Sequence, residues 1–266
     1  MTGPPARTPS VWDPRQYARF EAERDRAALD LLLRLPPDFH PREIWDLGCG
    51  AGQHAALLSR RHPDARVHGL DASAAMLEAA RALGADVDWR QGDIAAWRPE
   101  APVDLILANA SLQWLPDHQP LLARLAETLA PGGVLAVQMP LAHQTRHHVL
   151  MRETAAEGPW AASLAGIDTL AALLTPEVYY GVLARTCGSV DIWSTTYLHA
   201  LTGPDAVLEW MKGTALRPYL SALGDPGLRQ AYLTALAARL CAAFPPRPDG
   251  TTLLPFPRLF LVGHRA

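Results

Sequence analysis

Lysine is almost absent from this chain. Of its 24 basic residues only Lys212 is lysine, and the rest are arginine. Together with abundant alanine and proline this reads as G+C-rich coding, so arginine in place of lysine carries no functional weight by itself. An excess of charge is lacking too. The formal net charge is -3, and no broad positive field draws the protein to nucleic acid or to an anionic membrane. That points to a small-molecule partner, with a local basic pocket left open. Cysteine is scarce: Cys49, Cys187 and Cys241 are far apart, odd in number and form no C-x-x-C pair. A disulfide framework and a zinc site are therefore not expected. Long apolar runs are missing, and none approaches the ~20 residues of a membrane-spanning helix. Met1 to Ser10 is polar and proline-rich, without the apolar core of a signal peptide. A cytoplasmic location is the expectation, and the sequence is silent on oligomeric state. What is present is 266 residues that are 49% hydrophobic, enough for a substantial core.

The order of patterns along the chain predicts an α/β fold. Residues 1–13 read as a flexible tail. A helix follows from Asp13 or Pro14, its apolar stripe made by Tyr17, Phe20, Ala27, Ala28, Leu31 and Leu32, and Pro36-Pro37 ends it. Strands are predicted at Glu43 to Leu47, Arg66 to Leu70, Val87 to Arg90, Val103 to Ala108 and Val134 to Met139. Helices are predicted at His54 to Arg61, Ser73 to Leu83 and Gln119 to Leu129, the last stopped by Pro131-Gly132-Gly133. This alternation means βαβ units and a parallel sheet. It breaks after Pro140. Residues 141–250 are expected to form a mostly helical cap and substrate region, with one sheet strand near 190–200. Residues 251–266 supply a final strand. Residues 14–140 form the expected cofactor-binding core.

Ligands of open α/β sheets bind beyond the carboxyl ends of the strands. Asp46-Leu47-Gly48-Cys49-Gly50-Ala51-Gly52 ends the first strand, Asp71 the second, and Asp93 follows the third. The glycines let the backbone turn tightly and approach a ligand. Asp71 can accept from two ribose hydroxyls. Asp93, with the Ile94 amide beside it, suits an adenine amino group. A nicotinamide or flavin site is the nearest competitor, but its G-x-G-x-x-G spacing is not met: Gln53 stands where the third glycine belongs. Cys49 reads as a small buried filler.

These residues, with Gly69-Leu70-Asp71-Ala72-Ser73, Met76 and Gly92-Asp93-Ile94, resemble the motifs of class I S-adenosylmethionine-dependent methyltransferases. Further segments resemble one branch, the trans-aconitate 2-methyltransferases. They are Asn109-Ala110-Ser111-Leu112-Gln113-Trp114-Leu115-Pro116-Asp117-His118, Gly133 to Pro140, Glu209-Trp210-Met211-Lys212-Gly213-Thr214-Ala215-Leu216-Arg217-Pro218 and Leu254-Pro255-Phe256-Pro257-Arg258-Leu259-Phe260. Trp12-Asp13-Pro14 through Tyr17 and Phe20 fits the same pattern. The segment Leu141 to His148 departs from it. The resemblance implies a Rossmann-like, mostly parallel seven-stranded sheet with helices on both faces. It implies S-adenosyl-L-methionine as methyl donor, S-adenosyl-L-homocysteine as its product, and trans-aconitate as an acceptor esterified to a monomethyl ester.

A carboxylate with a pKa near ~4 is already ionised at neutral pH, so the chemistry calls for no general base. It calls for orientation and, with a tricarboxylate, for cations. Arg217 and Arg258 are the leading candidates, because a guanidinium fork binds a carboxylate through two parallel bonds. His148 and Trp210 complete the expected substrate-binding set. Tyr17, on a helix able to fold over the cofactor, is the expected catalytic side chain. The expected cofactor set is Asp46, Gly48, Gly50, Asp71, Ala72, Met76, Asp93, Ile94, Asn109 and Trp114. Trp114 could instead line the acceptor pocket or be core. The spacing of His143, His147 and His148 gives no full metal site, and no metal is expected.

Overall fold

A computed structural model describes residues 21–167, 173–213 and 215–266, with side chains from Asp25 onward. The expected tail at 1–13, the catalytic expectation Tyr17 and the motif residue Thr214 lie outside the described residues.

The sheet is built where the sequence places its apolar runs. The strands are β1 (Glu43–Leu47), β2 (Arg66–Asp71), β3 (Asp88–Gln91), β4 (Val103–Asn109), β5 (Leu129–Pro140), β6 (Cys187–Thr202) and β7 (Thr251–Arg265). They form one seven-stranded sheet in the order β3-β2-β1-β4-β5-β7-β6. β1 to β5 are parallel, and β7 runs antiparallel to both β5 and β6. The order reverses between β1 and β4, which opens a crevice at the carboxyl ends of those strands.

Connecting helices are α1 (Glu21–Leu32), α2 (Gln53–Arg61), α3 (Ala74–Arg81) and α4 (His118–Glu127). Later come α5 (Arg146–Ala156), α6 (Ala161–Leu164), α7 (Pro176–Leu183), α8 (Ala206–Lys212), α9 (Arg217–Ala222) and α10 (Pro226–Ala243). Side chains alternate across each strand, and the two faces make two cores. Leu31 of α1, Leu58 of α2, Ile44, Leu107, Ala136 and Phe260 share one. Leu125 of α4, Tyr179 of α7, Ile106, Val137 and Leu261 share the other. A third core, around Trp210, Tyr219 and Tyr232, joins α5, α8, α9 and α10 to Leu201, Leu254 and Phe256 at the far ends of β6 and β7.

One expectation is corrected. The segment Pro131-Gly132-Gly133 is not a helix stop: α4 ends at Glu127, and the segment bulges out of β5, whose register against β4 shifts between Val103 and Leu105. A side chain at Gly133 would meet two backbone oxygens, Ala130 O at 2.8 Å and Val103 O at 2.9 Å, so glycine alone lets the chain re-enter the sheet. The last strand, β7, begins at Thr251, where β6 supplies an antiparallel partner for the Pro-rich stretch before Arg258. Arg258 is therefore a strand residue.

Candidate active site

β1 runs into a turn whose glycines all have positive φ: Gly48 at 79°, Gly50 at 55° and Gly52 at 87°. Leu70 O accepts from the amides of Gly48 (2.7 Å) and Cys49 (3.0 Å), which pins the turn against β2. The three positions differ in what surrounds them. A Cβ on Gly48 would lie 2.3 Å from Ser111 Cβ, and one on Gly52 would lie 2.5 Å from the Trp89 ring. At Gly50 no atom stands within 4 Å of that position. Packing thus forbids a side chain at Gly48 and Gly52, whereas the Cβ position of Gly50 is open.

Asp71 braces the same turn. Its Oδ2 accepts from the Gly50 amide at 2.9 Å and its Oδ1 from the Ser73 amide at 2.8 Å. Each oxygen keeps a further lone pair for an incoming donor. Burial pushes the Asp71 carboxyl up, and the two amides partly restrain the shift. Ser73 also caps α3, its hydroxyl accepting from the Met76 amide at 3.4 Å. That turn leaves Ala72 exposed and Met76 buried. The third strand contributes at its exit: Asp93 is exposed, its Oδ1 accepts from the Ala95 amide at 2.8 Å, and Ile94 packs toward Gly48.

Asp46 is the most buried acid of this group, at 1% exposed. Burial raises its pKa to about 6, with Asp71 adding to the rise and His54 and the Ala55 amide opposing it. Its Oδ2 is out of solvent and lacks a hydrogen-bond partner. His54 reaches Asp25 of α1 at 3.3 Å, so the first helix is tied to the wall of this site. Across the crevice Asn109 ends β4, and its Oδ1 is likewise buried without a partner. Ala110 follows with φ 51°, a strained value for a residue with a side chain. The kink directs the chain into the short 3-10 turn Leu112–Trp114, which the half-buried Trp114 ends. Ser111 Oγ donates to Leu47 O at 2.7 Å, locking this loop to β1.

Of the candidate acceptor residues, Arg258, Trp210 and His148 are linked through Phe256 and His147. Arg258 is only 4% exposed. Its guanidinium lies over the Phe256 ring at 4.4 Å, and Nη1 donates to Gln138 Oε1 at 3.4 Å. Phe256 in turn meets Trp210 edge-on at 5.6 Å, and His199 stacks on Trp210 at 4.6 Å. His147 stacks on Phe256 at 5.6 Å and neighbours His148 at 4.4 Å. Thr145 Oγ1 lies 2.8 Å from His148 Nδ1 and 3.3 Å from His147 Nε2. Burial drives both imidazoles down: His147 to about 3, helped by His199, and His148 well below its ordinary value, helped by His147, Arg152 and His143. Both are neutral at pH 7. Arg217 opens α9, half-buried with Nη1 out of solvent. No group of three metal-ligating side chains occurs among the described residues.

Chain comparison places this geometry. A methyltransferase domain family matches residues 44–133. A trans-aconitate 2-methyltransferase of Azoarcus sp. (strain BH72) is 51% identical over 96% of this chain and 99% of its own. One from Methylobacterium radiotolerans is 50% identical over 96% and 98%. The chain belongs to the trans-aconitate 2-methyltransferase family. It is thereby a class I S-adenosylmethionine-dependent methyltransferase acting on small molecules. Among solved structures, the YcgJ protein of Bacillus subtilis shares the fold with a TM-score of 0.56 at 13% identity, over 90% of this chain and 98% of that one. A Haemonchus contortus phosphoethanolamine N-methyltransferase 2 shares it at 0.54 and 16% identity, over 91% and 53%.

Sequence reading missed three features. His54 gave no signal beyond a helix start, His199 lay in a β-like run, and Gln138 passed as one residue of a buried strand. Each acquires its setting only from neighbours distant in the chain.

Proposed function

We propose that this enzyme transfers the methyl group of S-adenosylmethionine to a carboxylate of a small polycarboxylate, with trans-aconitate as acceptor and its monomethyl ester and S-adenosylhomocysteine as products. The observation that carries the reading is Arg258, a guanidinium only 4% exposed at the carboxyl edge of the sheet. A buried group with five donors and no acceptor selects an anion.

The residues present fit the cofactor. The open side of Gly50 and the partnerless oxygens of Asp46 and Asn109 offer acceptors that would suit its ammonium group. Asp71 accepts from the ribose, with Ala72 and Met76 beside it, while Asp93 and Ile94 receive the adenine. Gly48 keeps the turn close to the ligand, and Trp114 covers it. When bound, S-adenosylmethionine supplies an electrophilic methyl carbon on a sulfonium.

The remaining work belongs to side chains. An ionised carboxylate needs no proton removed, so no base is required. Arg258 and Arg217 grip the carboxylates that do not react and leave the reacting one free to attack. Holding it in line is worth about 7–11 kcal/mol of barrier. Neutral His147 and His148 add no charge that would compete for the acceptor, and Trp210 walls its apolar side. Tyr17, whose segment fits the family pattern, is the proposed catalytic side chain. The test is turnover of purified protein with trans-aconitate, cis-aconitate, isocitrate and citrate, with methyl esters detected by mass. Ester formed fastest on trans-aconitate supports the reading. Methylation of none of the four, in protein that binds S-adenosylhomocysteine, refutes it and assigns a different small acceptor.

A further inference from the structure

One polar residue of the sheet edge has no role in what precedes. Gln138 lies two residues before the end of β5 and is fully buried. Its Cα partner across β4 is Asn109, and Asp46 on β1 pairs with Leu107, two residues before Asn109. Ile44, Leu107 and Ala136 share one core, so strand alternation puts Asp46, Asn109 and Gln138 on the same face of the sheet. Arg258, two residues before Phe260 of that core, continues the row on β7.

Three atoms of this row are buried without a hydrogen-bond partner: Asp46 Oδ2, Asn109 Oδ1 and Gln138 Nε2. A buried polar group left unsatisfied is costly, so each of these atoms calls for an explanation. The orientation of the Gln138 amide is fixed chemically. Arg258 has donors only, so the end of the amide that faces its Nη1 is the oxygen, and the NH2 points the other way. The row is therefore divided. Its β1 and β4 half presents acceptors, suited to a cation. Its β5 and β7 half presents donors, suited to an anion.

We propose that Gln138 is a specificity-determining residue for the acceptor: its Nε2 donates to an acceptor carboxylate while its Oε1 holds the Arg258 guanidinium in place. One amide thus ties the position of the cation to the grip on the substrate. This rests on the polycarboxylate reading above. It also explains why glutamine occurs where the neighbouring core positions are apolar: glutamate would turn a second oxygen toward an anion, and leucine would leave Arg258 without its acceptor.

The test uses the full-length enzyme, with Gln138→Glu and Gln138→Met. S-adenosylhomocysteine binding by calorimetry and the thermal midpoint show that each variant is folded with its cofactor site intact. The expected result is a rise in acceptor KM of about 10- to 100-fold, the loss of one hydrogen bond to a charged group. The dissociation constant for S-adenosylhomocysteine stays within about twofold, and kcat falls less than KM rises. Wild-type protein gives an independent readout. The assigned Gln138 side-chain amide resonances should shift when trans-aconitate is added to the S-adenosylhomocysteine complex. An unchanged KM in a folded variant, or no resonance shift at saturating acceptor, overturns the assignment while the polycarboxylate reading stands. If wild-type enzyme methylates no polycarboxylate, both fall together.

Discussion

At the scale of single residues the glycine turn separates packing from ligand access. Gly52 and Gly50 both have positive φ, a conformation that costs an alanine about 1–2 kcal/mol. At Gly52 the new Cβ would also meet the Trp89 ring at 2.5 Å and Ala80 Cβ at 2.8 Å, whereas at Gly50 it meets nothing. Gly52→Ala should therefore lower stability in urea clearly more than Gly50→Ala. Gly50→Ala should keep most of its stability and lose S-adenosylhomocysteine binding by calorimetry, because its methyl group fills the space the ligand needs. Asp46 makes a second prediction. Its carboxyl has a folded pKa of about 6, against 3.8 for an ordinary aspartate. A raised pKa favours the folded state below the unfolded value, and that advantage is lost as pH rises through 6. At 1.36 kcal/mol per unit, the buried charge costs roughly 3 kcal/mol above pH 7. Asp46→Asn should thus raise the thermal midpoint of ligand-free protein at pH 8, and the gain should shrink toward pH 5. The same variant should bind S-adenosylhomocysteine more weakly, and unchanged binding would remove Asp46 from the cofactor set.

At the scale of elements, α1 is held across the sheet by side chains rather than by backbone. Tyr197 on β6 donates to Asp30 at 2.6 Å, Arg26 lies over the Tyr197 ring at 5.1 Å, and Arg34 lies over Trp193 at 4.8 Å. At its other side Asp25 reaches His54 of α2. Burial and the Asp30 carboxylate hold the Tyr197 hydroxyl well above its ordinary pKa, so the bond persists across the working pH range. A hydrogen bond to a charged partner, here partly exposed, is worth about 1–2 kcal/mol. Tyr197→Phe should lower stability by that amount, and hydrogen exchange should accelerate in α1 while β1 and β4 stay protected. Equal acceleration everywhere would mean that the tie serves the whole fold and not this helix.

At the scale of the whole molecule, the acceptor region depends on a long antiparallel hairpin. β6 and β7 run past the sheet, and their far ends carry the core of Trp210, Tyr219 and Tyr232. Arg258 lies two residues from Phe256 of that core, and Arg217 follows Leu216 of it. Arg258→Met and Arg217→Met should each raise acceptor KM about 10-fold or more while leaving S-adenosylhomocysteine affinity nearly unchanged. Steady-state kinetics beside calorimetry separates the two effects, and a loss of cofactor affinity in either variant would remove that arginine from the acceptor site. No helix of the described residues is long and apolar enough to cross a membrane.

The sequence by itself determined what depends on neighbours in the chain. Alternating apolar runs and capped helices gave the parallel strands β1 to β5. The glycines at 48, 50 and 52 could only be a tight turn after a strand, and Asp71 and Asp93 fell at strand ends by spacing alone. The tertiary structure decided what depends on register. Gln138 meets Arg258, 120 residues away, because β7 pairs antiparallel with β5 and aligns Pro140 with Arg258. A slip of one residue would turn Arg258 to the opposite face. The stacking of His147 on Phe256 follows from the same hairpin meeting α5. Pattern and spacing encode elements, but only the closed sheet chooses which buried donors and acceptors face one another.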